Sequence, residues 1–269
     1  MPRQSERLDI LLVQRGEVPS RGRAKRLIMA GDVSVDGQIV DKPGKQVSID
    51  AQITLQKPDI PYVSRGGLKL EKALIFFKID VTGKNCIDVG ASTGGFTDCL
   101  LQNGAAMVYA VDVGYGQIDW KLRNDKRVIL FERTNIRYVK PDQFEEELEL
   151  ATIDVSFISL KSVLPVVNSL LKSQGQIIAL IKPQFEAGRG NVGKGGVVRE
   201  GEIHRDVIEG IWSLALDMDL IVSGLTYSPL KGPAGNIEYL IWLQKGICEK
   251  SIDPENTINS VVQESHTQL

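Results

Sequence analysis

The chain has 269 residues, enough for one large domain or for a small domain followed by a medium one. Its 42% hydrophobic and 25% charged residues are ordinary for a globular protein. No apolar run approaches the ~20 residues of a bilayer span, and the opening MPRQSERLDI lacks the apolar core of a secretory signal, so no stable membrane association is expected. The three cysteines (Cys86, Cys99, Cys248) have no metal-ligand spacing, and with only two histidines (His204, His266) neither a disulfide framework nor histidine-based metal chemistry fits. A reduced, cytoplasmic location without a metal is the expectation. The formal net charge of −2 excludes a uniformly basic nucleic-acid binder. The charge is uneven, however: Arg15 to Arg26 holds five basic residues against one acid. Nothing in the sequence sets the oligomeric state.

In chain order, Arg7–Gln14 (RLDILLVQ) has apolar residues at 8, 10, 11 and 12 and predicts a short helix with one buried face. Pro19-Ser20 stops it, and Ser20 can cap a second helix, RGRAKRLIMA, closed by Gly31. Val33-Ser34-Val35 and Gln38-Ile39-Val40 flank Asp36-Gly37, a strong signal for a tight hairpin. Lys42-Pro43-Gly44 makes a further turn and Ala51–Leu55 a last strand. Arg21, Arg23, Lys25 and Arg26 crowd the start of the second helix, where they can meet phosphates. A solvated helix face is the plainer reading of the same charges. The segment resembles the S4 RNA-binding domain on Arg7-Leu8-Asp9, Ser20-Arg21-x-x-Ala24, Ile28, Gly31 and Val33-x-Val35-Asp36-Gly37. That resemblance covers residues 6–60 and implies an RNA-binding set of Arg7, Arg21, Arg23, Lys25 and Arg26.

Lys57-Pro58-Asp59-Ile60-Pro61 reads as a proline-stiffened connection. The expected division is residues 1–60, a linker at 61–63, a larger domain at 64–248 and a polar, frayed tail at 249–269. Ser64-Arg65-Gly66-Gly67 leads into a helix with Lys69 near its start, where the helix dipole disfavours a cation. Ile87-Asp88-Val89 then reads as a buried strand, Gly90-Ala91-Ser92-Thr93-Gly94-Gly95 as a turn and Phe96 onward as a helix. Strand, glycine turn and helix bring backbone N–H groups up to a nucleotide-like ligand. Gly90 and Gly94 have the wrong spacing for the G-x-G-x-x-G dinucleotide fingerprint. The D-x-G-x-x-x-G-G form suits S-adenosylmethionine (AdoMet), with an unrelated glycine turn as the alternative.

A second strand, Ala106–Val111, ends at Asp112, ~20–25 residues past the first, where an acid can bond a ribose diol. Further strands are expected at Val128–Phe131 (followed by Arg133-Thr134-Asn135), Ala151–Val155, Gln176–Ile181, Leu220–Tyr227 and Ile237–Leu243. Residues 141–149 and Leu160–Leu171 are expected as helices, Ala187–Val198 as a mobile glycine-rich loop and Glu200–Leu216 as a helix. The alternation predicts an α/β fold: a doubly wound, seven-stranded Rossmann-like sheet, its last strand inserted antiparallel, preceded by the small α+β domain. Ligands of such sheets sit at the carboxyl ends of the strands. Asp154, Lys182 and Glu238 are charged residues in strongly apolar company, which calls for partners. The bland reading is a pair of internal ion pairs. The sharper one is a cluster Lys69–Asp154–Lys182–Glu238, in which a lysine beside another cation serves as a base near neutral pH.

The whole chain resembles the TlyA-type (haemolysin A) rRNA methyltransferases, which join an S4 domain to an FtsJ-like (RrmJ-like) 2′-O-methyltransferase domain. The matching residues are Ser64-Arg65-Gly66-Gly67-x-Lys69-Leu70, Asp88–Asp98, Ala110–Gly114, Asp154–Leu160, Lys182–Glu186 and Gly235-Asn236-x-Glu238-Tyr239. The resemblance implies catalytic Lys69, Asp154, Lys182 and Glu238, and AdoMet as cofactor. Asp88, Gly90, Ala91, Ser92, Gly94, Gly95, Phe96, Asp112, Asn135 and Asp154 would bind it. It implies methylation of a cytidine ribose 2′-OH in 16S or 23S rRNA, with ribosomal RNA or a ribosomal subunit as partner. A dinucleotide oxidoreductase does not fit the glycine spacing. A pseudouridine synthase with an S4 domain would not need the AdoMet turn. A non-catalytic RNA-binding protein would need a broken tetrad, and a haemolysin-like membrane-active protein has no spanning segment.

Overall fold

A computed structural model of the chain describes residues 5–18, 20–29, 32–55, 60–246 and 252–269, without the side chains of Arg26 and Arg189. Pro19, Gly31, Lys57-Pro58-Asp59, Cys248 and the Arg26 side chain therefore lie outside the described residues. Two compact units divide between Pro61 and Tyr62.

In the first unit, β1 (Ser5–Arg7) leads directly into α1 (Leu8–Gln14), and α2 spans Arg21–Met29. Four short strands follow: β2 (Val33–Val35), β3 (Gln38–Ile39), β4 (Gln46–Ser48) and β5 (Ile53–Leu55). Ser20 caps α2 by accepting from the Arg23 N–H at 3.3 Å. β2 pairs antiparallel with both β3 and β5. Asp36 and Gly37 take φ 50° and 81°, the two left-handed positions of a type I′ hairpin. The pairing of β1 with β4 has no counterpart in the sequence pattern, because three residues are too few to show a period. Leu8, Leu12, Ala24, Ile28 and Val33 are fully buried between the helices and the strands.

The second unit opens with α3 (Gly66–Phe77), β6 (Asn85–Val89), α4 (Gly95–Gln102), β7 (Met107–Val111), α5 (Trp120–Arg123) and β8 (Val128–Phe131). It continues with β9 (Leu148–Ile153), α6 (Leu164–Leu170), β10 (Leu171–Ile181), α7 (Pro183–Glu186), α8 (Gly201–Asp217), β11 (Leu220–Tyr227), β12 (Tyr239–Lys245) and α9 (Pro254–Gln268). Its seven strands form one sheet in the order β11-β12-β10-β9-β6-β7-β8. β12 runs antiparallel between β10 and β11, as the paired final strands predict. The chain reverses direction across the sheet between β6 and β9, which lie side by side and parallel. That is where a doubly wound sheet opens a ligand crevice.

Four expectations need correction. Residues 141–149 are not a helix: a single 3-10 turn at Pro141–Gln143 is followed by an irregular connection, residues 144–147, and then by β9. Phe144 anchors the connection by packing on Tyr109 and Phe131, at centroid distances of 5.0 and 5.7 Å. The Leu160–Leu171 helix is split into a 3-10 turn at Leu160–Ser162 and α6, with Pro165 in the first turn of α6. Tyr62 and Val63 are not linker. Tyr62 is buried and donates its hydroxyl to Glu71 at 2.7 Å, and the Val63 N–H donates to Asp98 at 2.9 Å. The polar end is not a frayed tail either. Asp253 caps α9, which buries Ile258, Val261, Val262 and Ser265, a narrow stripe at helical spacing within a polar segment.

Candidate active site

The glycine turn is built by close packing. Gly90 has φ 86°, and a Cβ there would stand 2.5 Å from the Asp154 carbonyl oxygen. Only glycine lets β6 and the end of β9 meet so closely. Gly94 has φ 93°, and a Cβ on it would strike the Leu122 side chain. A Cβ on Gly95 would come 2.9 Å from the Gly67 amide nitrogen, so the first turns of α3 and α4 touch backbone to backbone. This contact brings Lys69, on the first turns of α3, over the glycine turn.

Lys69, Asp154, Lys182 and Glu238 line a single cavity of about 300 Å³, together with Gly90, Ala91, Ser92, Gly95 and Phe96 of the turn. Lys69 Nζ donates to Glu238 Oε2 at 2.6 Å, and Glu238 is 1% exposed. The cation at a helix start thus has a carboxylate partner rather than solvent. Pro183 forces Lys182 into an extended conformation (φ −113°, ψ 100°) at the end of β10. Its Nζ lies 2.5 Å from Asp154 Oδ1 as an ion pair and gives its hydrogen bond to Ser156 Oγ at 3.0 Å. The cluster is therefore two ion pairs facing one space. Ser156, which the sequence pattern does not single out, holds the second of them.

A second cavity of about 660 Å³ adjoins the first through Gly90, Ser92, Asp154 and Ser156, and it is also lined by Asp112, Gln117 and Asn135. Asp112 follows the last residue of β7 and accepts from the Ser92 and Gly114 N–H groups, both at 2.7 Å. Asn135 accepts from the Arg137 N–H at 3.1 Å. Phe157 stands at the rim, 91% exposed, with φ 63°. That conformation is strained for a bulky residue, and its ring rests on Phe185 at 5.1 Å.

Asp88, expected among the cofactor ligands, lines neither cavity. It is fully buried and accepts from Thr97 Oγ1 at 2.6 Å and Thr152 Oγ1 at 3.0 Å. Burial pushes its carboxyl up to about 6, against these two hydroxyl donors. It ties β6 to α4 and β9 beneath the turn. Among the described residues no group of His, Cys, Asp and Glu is placed to hold a metal ion, and no helix is long and apolar enough to cross a membrane.

In the first unit, Asp9 gathers two of the expected RNA-binding residues. Arg7 Nε donates to its Oδ1 at 3.0 Å and Arg21 Nε to its Oδ2 at 2.8 Å. The Arg7 hydrogen bond leads in holding the buried Asp9 carboxyl down to about 2. Both guanidinium groups remain half-exposed, at 40% and 51%. Lys25 is exposed and Arg23 half-buried on α2. Arg15, counted in the basic cluster, serves structure: it donates to the Ala51 carbonyl at 2.9 Å and to the Ile49 carbonyl.

The chain matches the FtsJ-like methyltransferase family over residues 62–245 and the S4 domain over residues 6–53. A Bacillus subtilis protein provisionally named rRNA methyltransferase YqxC is 50% identical over 273 residues, spanning 100% of this chain and 97% of the relative. The 16S/23S rRNA (cytidine-2′-O)-methyltransferase TlyA of Mycobacterium tuberculosis is 45% identical over 88% of this chain and 89% of its own. Hemolysin A of Brachyspira hyodysenteriae is 43% identical over 87% and 98%. A solved structure from Streptococcus thermophilus, provisionally named a hemolysin, superposes with a TM-score of 0.78 at 47% identity, covering 99% of this chain and 97% of that one. The chain belongs to the FtsJ-like methyltransferase family, carries an S4 domain ahead of the methyltransferase domain, and is homologous to the proteins named TlyA and Hemolysin A.

Proposed function

We propose that this protein transfers a methyl group from AdoMet to a ribose 2′-OH of ribosomal RNA, on a cytidine as in the TlyA relatives, in the cytoplasm. The observation that carries this reading is the joining of two cavities at the sheet's switch point: one lined by Asp112 and Asn135, the other by the Lys69–Glu238 and Lys182–Asp154 pairs.

The residues fit AdoMet. Gly90, Ala91, Ser92, Gly95 and Phe96 of the turn line the smaller cavity, and Gly90 and Ser92 line the larger one as well. Asp112 presents a carboxylate to the larger cavity, in position for a ribose diol. The cavities have the size of a small-molecule site. When bound, AdoMet supplies a methyl group already activated as a sulfonium.

The protein's own task is to hold the acceptor oxygen in line with that methyl and to deal with its proton. Lys182 Nζ, fixed by Asp154 and Ser156, steers the 2′-OH by donating to its oxygen, and takes the hydroxyl proton only after passing one of its own to Asp154. Lys69, fixed by Glu238, steadies the developing alkoxide. Alignment of this kind can supply ~7–11 kcal/mol of a barrier. Arg7 and Arg21, held side by side by Asp9, meet RNA phosphates.

Lys182→Ala decides the assignment. Labelled methyl transfer to rRNA from cells lacking the protein should vanish in the variant, while AdoMet affinity stays near wild type and the variant remains folded at the assay temperature, with a melting temperature lowered by the stranded Asp154. Near-wild-type turnover would overturn the assignment of Lys182. Mapping reverse-transcription stops on the product identifies the nucleotide.

A further inference from the structure

Glu238 is held in place by residues that line neither cavity. Asn236, two residues earlier and 1% exposed, bonds through both ends of its amide. Its Oδ1 accepts from the Val198 N–H at 2.9 Å, and its Nδ2 donates to the Gly196 carbonyl at 2.8 Å. Val198 is then gripped from its other side, because its carbonyl lies 3.1 Å from Nε2 of the fully buried His204 on α8. A carbonyl can only accept, so the Nε2 carries the proton and Nδ1 of the neutral ring is an acceptor. Burial keeps the imidazole neutral, pushing it down to about 4. That Nδ1 lies 2.7 Å from the hydroxyl of Tyr239, the residue after Glu238. The Tyr239 hydroxyl also meets Ser265 Oγ at 3.1 Å, and His266 Nε2 lies 3.1 Å from His204 Nδ1, both from α9. Hydrogen bonds therefore enclose Glu238 on both sides in sequence and return to one backbone unit, Val198.

We infer that Asn236 and His204 are positioning residues for methyl transfer: by clamping Val198 between them, they fix the segment that aims Glu238 at Lys69. The inference rests on the proposed methyl-transfer reading. It also explains why a glycine-rich stretch is followed by a buried valine. The loop Gly188–Val198 has left-handed glycines at 188, 195 and 196 with open space around them, and it is pinned where Asn236 meets Gly196 and Val198. A buried amide with both ends bonded to backbone acts like a short piece of β-ladder, and its loss leaves two backbone groups unpaired, the Val198 N–H and the Gly196 carbonyl.

The test uses the full chain and three readouts: methyl transfer to rRNA, AdoMet affinity, and amide hydrogen exchange. Asn236→Ala and His204→Ala should each lower kcat at least tenfold with the AdoMet Kd within twofold of wild type. Both should also speed exchange at residues 196–198 and 238–239. His204→Gln, whose side-chain amide can still donate to the Val198 carbonyl, should recover most of the rate. Unchanged kcat overturns the inference. So does equal loss in His204→Gln and His204→Ala, or loss that only tracks AdoMet affinity and melting temperature. Should the wild type itself fail to methylate rRNA, the proposed function falls. The exchange measurement then decides the clamp alone, and unchanged exchange in both alanine variants refutes it.

Discussion

Replacing Lys69 by Met keeps the aliphatic stem and removes only the charge. What it leaves behind is Glu238, 1% exposed, whose Oε2 has lost a donor at 2.6 Å. The backbone of Gly232 crowds the other oxygen: a Cβ there would lie 2.6 Å from Oε1, so the carboxylate cannot swing out to water without moving the loop. Breaking a buried ion pair from one side costs about 3–5 kcal/mol, against about 0–1 kcal/mol for an exposed pair. Lys69→Met should therefore lower the urea-unfolding free energy by an amount in the first range. The double variant Lys69→Met, Glu238→Leu removes the stranded charge and should recover all but about 1 kcal/mol, since a hydrophobic pair of similar volume replaces a buried ion pair at little loss. Methyl transfer should be absent from both. Equilibrium unfolding and the transfer assay on the same preparations separate the two roles. A single variant that costs less than about 1 kcal/mol shows that the pair is solvated. A double variant that still turns over shows that the pair is structural alone.

Gly90→Ala places a Cβ 2.5 Å from the Asp154 carbonyl at φ 86°, which adds about 1–2 kcal/mol of left-handed strain to an overpacking cost of about 1–3 kcal/mol. It should lower the melting temperature and AdoMet affinity together, and an unaltered Kd refutes the close-approach reading. Asp112→Ala should weaken AdoMet binding by calorimetry while leaving Lys182 and its partners in place; equal affinity excludes Asp112 as a ligand. Arg21→Gln should weaken RNA binding at low salt and reduce the slope of log K against log salt by about 1, and an unchanged slope means that Arg21 meets no phosphate. The Asp88 carboxyl is raised by burial from 3.8 to about 6, so keeping it ionised costs the fold on the order of 3 kcal/mol above pH 6, and that cost fades as pH falls toward 3.8. The stability advantage of Asp88→Asn over wild type should therefore shrink between pH 7 and pH 4 in urea unfolding, and a difference that does not change with pH refutes the buried-carboxylate account.

The sheet was legible because its strands are short apolar runs between turn signals, and the antiparallel last strand because two runs arrive with no helix between them. The tetrad was legible because lysine, aspartate and glutamate are conspicuous in such company. What was not legible is the shell that holds them. Ser156, Thr97, Thr152 and Asn236 are small polar residues whose roles depend on partners 9 to 64 positions away. No local period marks such a partner. Helix α9 is hidden in the sequence for another reason. Its buried stripe of four residues lies on a helix packed against α8 and β11, and a narrow stripe in a polar segment has the composition of a solvated tail.

The misplacement of Asp88 turns on a single residue of register. Side chains alternate across a strand, so within β6 the Ile87 and Val89 side chains face one side of the sheet and Asp88 the other, toward Thr97 of α4. Val89 and Val111, the last ladder residues of β6 and β7, still line the larger cavity, whereas Asp88, on the opposite face, reaches only α4 and β9. Four of the residues that line the two cavities come just after the last ladder residue of a strand. Gly90 follows Val89, Asp112 follows Val111, Asp154 follows Ile153, and Lys182 follows Ile181. Each is the first residue freed from strand alternation, so its side chain or its bare Cα turns along the strand axis into the crevice. Glu238 obeys the same rule in reverse: β12 runs antiparallel, so its amino end lies level with the carboxyl ends of its neighbours, and Glu238 precedes Tyr239, its first ladder residue. Asp88 lies two positions before Gly90, on the face opposite Val89, and braces the crevice from beneath.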